Sequence, residues 1–143
     1  MTVTMSEHER QEFLAALHVG VISIERADGP PLTVPIWYSY EPGGLLWVIT
    51  SPDSLKGRLL TAARRFSLCA QTEEPPFYKY VSVEGPIVDI APADLEADRR
   101  PLARRYFGPE LGDRYVADSG GEANLKYSMR PTRWWSVDYS KSA

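Results

Sequence analysis

Two cations and three hydroxyls are crowded into one short stretch of this chain, Thr50-Ser-Pro-Asp-Ser-Leu-Lys-Gly-Arg58. Ser51 is placed to cap a helix whose first residue is Pro52, because a cap hydroxyl accepts from a first-turn amide and proline loses nothing at that position. Free backbone N–H groups, the hydroxyls of Thr50, Ser51 and Ser54, and the charges of Lys56 and Arg58 then converge within one turn, which is the chemistry of a phosphate seat. The strand leading in carries Pro35 and Trp37 on one face, where a missing N–H and a large flat ring leave room for a planar heterocycle. Together they describe a ligand with a flat ring and a phosphate tail. The same residues also make an ordinary capped helix start, with Lys56 and Arg58 solvated.

The elements that must position these groups come from hydrophobic periodicity. Val34–Tyr40 and Leu45–Ser51, joined by Pro42-Gly43-Gly44, form a hairpin that runs straight into the helix begun at Pro52 and continued to Arg65. An amphipathic helix is predicted over Ser6–Leu17, with Ser6 and Glu9 as a capping box. Strands are predicted at Val19–Ile24, Leu32–Tyr40, Leu45–Thr50, Phe66–Gln71, Tyr78–Ile90 and Arg133–Tyr139, and Gly85-Pro86 marks a bulge in the long fifth one. Ala93–Phe107 has helical content broken at Pro101, and Glu110–Ser128 reads as a loop or lid. The fold class is mainly β with peripheral helices, a six-stranded antiparallel barrel in a single domain over residues 1–143.

Composition narrows the function classes. A net charge of −3 in 143 residues argues against a general nucleic-acid binder, and 43% apolar residues allow a substantial core. No apolar run approaches the roughly 20 residues of a membrane span, and Met1–Leu17 lacks the apolar region of a signal peptide. The lone Cys69 forms no internal disulfide, which suits a reducing compartment and a cytoplasmic location. His8 and His18 are far apart and without partner ligands, so no metal is expected. No nucleophile elbow is present, and Cys69 lacks an electropositive setting, which leaves cofactor chemistry.

The order of these elements resembles the split β-barrel flavin-binding family typified by pyridoxamine 5′-phosphate oxidase. The likeness spans nearly the whole chain and is carried by "HVGVISI", "VPIWYSY", "LWVITSPDSLKGRLL", "FSLCAQ", "YVSVEGPIVDI" and "RPTRWWSVDY". Its sharpest part is Thr50-Ser51 followed by Ser54-x-Lys56, which in family members seats the cofactor phosphate. The resemblance implies an FMN-binding type of split barrel, a homodimer with sites at the subunit interface, and FMN or the deazaflavin coenzyme F420 as cofactor. Implied too is hydride transfer to or from a small conjugated substrate, with a non-catalytic carrier or sensor, or pyridoxamine 5′-phosphate oxidase proper, as alternatives.

The cofactor-binding candidates are accordingly Pro35, Ile36, Trp37 and Tyr38 beside the ring, Thr50, Ser51, Ser54, Lys56 and Arg58 at the phosphate, and Gln71 as a polar contact to the cofactor or across the dimer. Tyr80 and Trp134 are candidates for a substrate or dimer contact. Trp134 and Trp135 point to opposite faces of one strand, and the sequence does not say which faces a site. Arg58 with Arg64 or Arg65 is able to accommodate further negative charge, whereas Arg99, Arg100, Arg104 and Arg105 read as a solvated helix face. No general acid stands out, so the proton comes from solvent or a tyrosine.

Overall fold

The computed structural model describes residues 2–119 and 123–142. Helix α1 (Glu7–Ala15) starts at Ser6, whose hydroxyl accepts from the Glu9 amide while the Glu9 carboxylate accepts from the Ser6 amide, the expected capping box. Glu9 also pairs with Lys141 at 2.6 Å. That hydrogen bond, ahead of the two to Ser6, lowers the Glu9 carboxyl to about 2. The helix presents Leu14 to the core with no exposed area, while Leu17, beyond its end, is left exposed.

Among the described residues, eight strands form one curled antiparallel sheet: β1 (Gly20–Ile24), β2 (Leu32–Ile36), β3 (Ser39–Tyr40), β4 (Leu46–Thr50), β5 (Arg65–Gln71), β6 (Lys79–Pro92), β7 (Leu125–Met129) and β8 (Arg133–Asp138). Their order is β2-β1-β5-β6-β7-β4-β3, with β8 also on β6. The 14-residue β6 closes the curl: Lys79–Glu84 pair with β8, and Ile87–Pro92 pair with β7. Alternating burial along β1, β4 and β5 points Ile22, Ile24, Leu46, Val48 and Leu68 inward, where they meet Val81, Val83, Tyr127 and Met129 with no exposed surface. Full burial of one such aliphatic side chain is worth about 1.5 to 3 kcal/mol.

The strand count exceeds the six expected, for two reasons. The stretch Leu32–Tyr40 breaks at Trp37-Tyr38, so β2 pairs with β1 and only the two residues of β3 pair with β4. In addition, β7 lies in what reads from sequence as a loop. The register shift of β6 falls between Ile87 and Asp89 rather than at Gly85-Pro86. Gly85 instead permits a close approach, since a Cβ there would lie 1.8 Å from the Arg130 carbonyl oxygen.

The helical segments also differ from expectation. Helix α2 (Leu55–Ala63) is capped by Ser54, not Ser51, with the Ser54 hydroxyl accepting from the Gly57 amide at 3.0 Å. Pro52-Asp53 belongs to a preceding turn, in which Ser51 Oγ accepts from the Asp53 amide. A π turn (Leu95–Arg99) leads into α3 (Arg100–Asp118), so Pro101 lies at a helix start and breaks nothing. The break comes at Gly108, with φ of 83°, after which Pro109 starts the chain helical again through Asp118. Gly112 lets the second arm close on the first, as a Cβ there would sit 2.7 Å from the Arg104 nitrogen. The expected lid over 110–128 is thus a helix arm and a strand, and Gly120-Gly121 lie outside the described residues.

Candidate functional site

A cavity of about 340 Å³ opens where the end of β4, the start of α2, the end of β2 and the folded-back α3 meet. Ile36, Trp37, Ile49, Thr50, Ser51 and Lys56 line it from the strands and α2; Arg99, Leu102, Ala103, Tyr115, Val116, Ser119 and Asn124 line it from the later part of the chain. This size falls within the range of small-molecule sites, and the mixture of apolar wall and a few polar groups is typical of them.

The polar end is set by the turn into α2. Thr50 is almost wholly buried, and its hydroxyl meets Ser54 Oγ at 3.2 Å. Ser54 also donates to the Ser51 carbonyl at 2.7 Å, so its hydroxyl is spent on the cap and turn beneath the cavity. Gly57 packs on the Ser51 backbone and brings the first turn of α2, with Lys56, up to Thr50 and Ser51. Among the described residues Lys56 has no carboxylate within 4.0 Å, whereas Lys79, Lys126 and Lys141 each pair with one. An ammonium held beside two hydroxyl residues at a cavity edge is an anion-binding arrangement.

The ring end is set by Trp37, at the break between β2 and β3. One face of its indole stacks on Tyr106, with centroids 4.8 Å apart and planes 6° apart, while Phe107 meets it edge-on at 4.9 Å and Tyr115 tilts against it at 5.5 Å. The Tyr106 hydroxyl accepts from the Tyr38 amide and lies 2.6 Å from the His18 carbonyl oxygen, replacing the sheet bonds lost at the break. Aromatic burial on one face leaves the rest of the indole to border the cavity.

Of the residues nominated from sequence, Ile36, Trp37, Thr50, Ser51 and Lys56 therefore meet in one cavity, with Ser54 supporting them from below. Pro35, Arg58 and Gln71 are exposed and outside its lining. The Tyr38 ring is fully enclosed, donates to the Leu14 carbonyl at 2.6 Å and is held un-ionised by burial, so its side chain faces away from the cavity. Tyr80 is opposite Gln71 and Val137 in the sheet. Trp134 packs on Tyr40 and under the Arg10 guanidinium in a separate hollow of about 490 Å³, and Trp135 is half exposed. Another hollow, of about 640 Å³, holds Arg64, Arg65 and Arg133, but Glu25 and Glu84 are there too and Arg65 is paired with Glu25.

Sequence reasoning missed the wall supplied by α3. The four arginines around Pro101 have separate tasks: Arg100 and Arg104 both grip Asp113, Arg105 bonds the carbonyls of Ala15 and Ala16 at the end of α1, and Arg99 lines the cavity. Tyr115, Ser119 and Asn124 were hidden in the segment read as a lid. A helical restart at Pro109 was the one available signal for them.

No family model matches the chain, and no curated protein matches it by sequence. Solved structures match it over nearly its full length. A conserved hypothetical protein of Mycobacterium tuberculosis aligns with TM-score 0.80 and 23% identity over 98% of this chain and 89% of that one. An F420 reductase aligns with TM-score 0.69 and 23% identity over 87% and 94% of the two chains. An FAD-binding protein of Mesorhizobium loti aligns with TM-score 0.64 and 18% identity over 94% and 96%. The fold is that of the pyridoxamine 5′-phosphate oxidase-like split barrels. Within this split barrel the cavity lies at the β4–α2 corner, the position at which the resemblance in sequence seats a phosphate.

The residues fit a flavin-type group at the level of donor chemistry: a cation with hydroxyls at one end, an indole and aliphatic side chains at the other. Among the described residues, no cluster of His, Cys, Asp or Glu is disposed to hold a metal, and no helix is long and apolar enough to cross a membrane. Among the described residues the lining holds no carboxylate and no imidazole; its groups able to give up a proton are the Tyr115 phenol, the Lys56 ammonium and the hydroxyls of Thr50, Ser51 and Ser119. Cys69 stands outside it on β5, and burial pushes its thiol up.

Proposed function

We propose that this chain is an oxidoreductase that holds FMN or the deazaflavin F420 in the cavity between β4, α2 and α3. Bound there, the ring supplies a donor or acceptor of hydride. The observation that carries the reading is Lys56, without a carboxylate partner among the described residues, beside Thr50 and Ser51 in the lining of a cavity that Trp37 also lines. Lys56, Thr50 and Ser51 hold the phosphate; Ile36 and Trp37 lie along the ring; the aromatic packing behind Trp37 keeps water from that side. The likeness to an F420 reductase and an FAD-binding protein supports a flavin-type cofactor. Gln71, Tyr80 and Trp134 lie outside the cavity of their own chain, so a role for them at the site requires a second copy, consistent with a homodimer. A small conjugated organic substrate then takes the open side of the ring, and its proton comes from Tyr115 or from water.

Titration of the purified protein with FMN and with F420, wild type against Lys56→Ala, tests this. A charge-assisted hydrogen bond of about 1.5 to 3 kcal/mol corresponds to a loss of roughly ten- to a hundredfold in affinity. Equal affinity of the two proteins would remove the seat. A carrier that binds the cofactor without turning over is the alternative. Persistence of the reduced, bound cofactor in the presence of enones and quinones would select the carrier over the enzyme.

A further inference from the structure

The cavity has a second positive pole. Arg99 reaches it from the π turn, an element separate from the β4–α2 corner that holds Lys56. Its backbone is fixed on two sides. Asp94 caps the turn by accepting from the Ala97 amide at 2.7 Å, and the buried neighbour Asp98 accepts from the Asp94 amide and from Lys126 of β7, each at 2.9 Å. With Asp98 anchored in the sheet, Arg99 is directed the other way, where its Nη2 donates to the Ser119 carbonyl and hydroxyl, both at 3.2 Å. Its Nε and Nη1 have no partner among the described residues and are not enclosed, so they keep unused donor capacity. The neighbouring arginines Arg100 and Arg104 share Asp113, but among the described residues Arg99 has no carboxylate within 4.0 Å.

We infer that Arg99 is a ligand-binding residue and that the cavity is built for a ligand bearing two separate acid groups, one at Lys56 and one at Arg99. The physical reason is that the two cations come from different elements with different hydroxyl neighbours: Lys56 follows Thr50 and Ser51 at the start of α2, Arg99 bonds Ser119 at the end of α3, and Leu102, Ala103 and Val116 add apolar surface to the same lining. One small phosphate needs one such pole. Two poles supplied by different elements match a phosphate that continues into a second acid group, and a planar guanidinium with two donors unpaired among the described residues suits a carboxylate or phosphate held by paired hydrogen bonds. This deepens the proposed function, whose cofactor-binding cavity it uses, but the anion site can be examined without any flavin.

The test measures binding of inorganic phosphate, pyrophosphate and tripolyphosphate at fixed ionic strength to wild type, Lys56→Ala, Arg99→Ala and Arg99→Lys, with FMN and F420 as further ligands. In wild type, tripolyphosphate should bind at least tenfold more tightly than phosphate. Arg99→Ala should cost about ten- to a hundredfold for tripolyphosphate and F420, and under threefold for phosphate. Arg99→Lys, which keeps the charge, should recover part of the loss, and Lys56→Ala should weaken every ligand. Nearly equal wild-type affinities for phosphate and tripolyphosphate would overturn the inference without any variant having to fold. A folded Arg99→Ala protein that keeps its preference for the longer anions would overturn it too. If the polyphosphates bind through Arg99 while FMN and F420 do not bind, the two-pole site stands and the flavin reading falls. If FMN binds through Lys56 and Arg99→Ala is silent for all ligands, the flavin reading stands and this one falls.

Discussion

Gly57→Ala separates two physical effects of opposite sign at the base of the cavity. Gly57 lies inside α2, and on helix propensity alone replacing it by alanine stabilises by about 1 kcal/mol. The structure forbids that gain. A Cβ at 57 would stand 2.1 Å from the Ser51 carbonyl oxygen, 2.9 Å from Pro52 Cα and 3.0 Å from the Ser51 carbonyl carbon. Against an ordinary contact of 3.4 Å the shortfall is about 1.3 Å, and it is met by backbone, which has no rotamer to change. Overpacking costs about 1 to 3 kcal/mol, and a clash with backbone belongs at the upper end, so the net expectation is a loss of about 1 to 2 kcal/mol. At about 4 °C per kcal/mol for a domain of this size, thermal denaturation should show a midpoint lowered by roughly 4 to 8 °C. The relief pushes Ser51 away from α2 and so parts Thr50 and Ser51 from Lys56. Affinity for FMN or inorganic phosphate should fall by about tenfold or more although every nominated side chain is still present. Gly43→Ala is the control, because φ of 81° strains an alanine there but nothing lies within 4 Å and the turn is remote from the cavity lining. It should lower the midpoint and leave binding intact. A Gly57→Ala protein that melts at or above wild type and retains its affinity would refute the assignment of this glycine to close approach.

Two further outcomes follow from the same geometry. Tyr106→Phe keeps the stack on Trp37 but leaves the Tyr38 amide and the His18 carbonyl without their partner. Chemical denaturation should show a loss of about 1 to 3 kcal/mol, and FMN affinity should fall a few-fold while inorganic phosphate affinity holds. His18 is held below its usual value of 6.5, first by desolvation and also by the Arg105 charge, against the raising effect of its bond to the Phe13 carbonyl. The unfolded chain therefore takes up this proton more readily, so the stabilising contribution is complete above about pH 6.5 and drains away as pH falls through the lower folded-state value. Urea denaturation across pH 5 to 7 should show this slope in wild type and a flatter one in His18→Gln; an unchanged slope would rule His18 out as its source.

Where the sequence was legible, local pattern and tertiary role agreed. Ser6 and Glu9 cap each other whatever surrounds them, and β1, β4 and β5 alternate because one face of each meets the core. Lys56, Thr50 and Ser51 could be brought together on paper because they are neighbours along the chain. The errors arose where two local rules competed. Ser51 and Ser54 are both good caps, and Pro52 favours the first; the close approach of Gly57 to the Ser51 backbone goes with the second, a tertiary fact with no signature beyond the glycine itself. Gly108-Pro109 reads as a helix stop, yet the same pair ends one arm at a positive φ and starts the next at the position proline prefers. Leu125–Met129 is buried at three successive residues, Tyr127, Ser128 and Met129, so both faces of this strand are covered at its end and no alternation marks it.

These misreadings share a location, and the location has a consequence. The part of the cavity that was legible is the β4–α2 corner, which a short contiguous segment builds. The part that was not is α3, whose two arms meet through Gly112 and deliver Arg99 and Ser119 from opposite ends of a 19-residue element to one wall. Side chains that far apart in sequence leave no spacing rule to find, and the surrounding arginines, three of them committed to Asp113 or to the carbonyls of α1, disguise the remaining one as part of a solvated face. On the proposed function, the sheet and the β4–α2 corner supply the seat of a single anionic group, and selectivity among ligands that share that group falls to α3. Exchange of residues that line the cavity from α3 should alter which ligand is preferred more than whether any ligand binds, whereas exchange at Thr50, Ser51 or Lys56 should weaken all of them together.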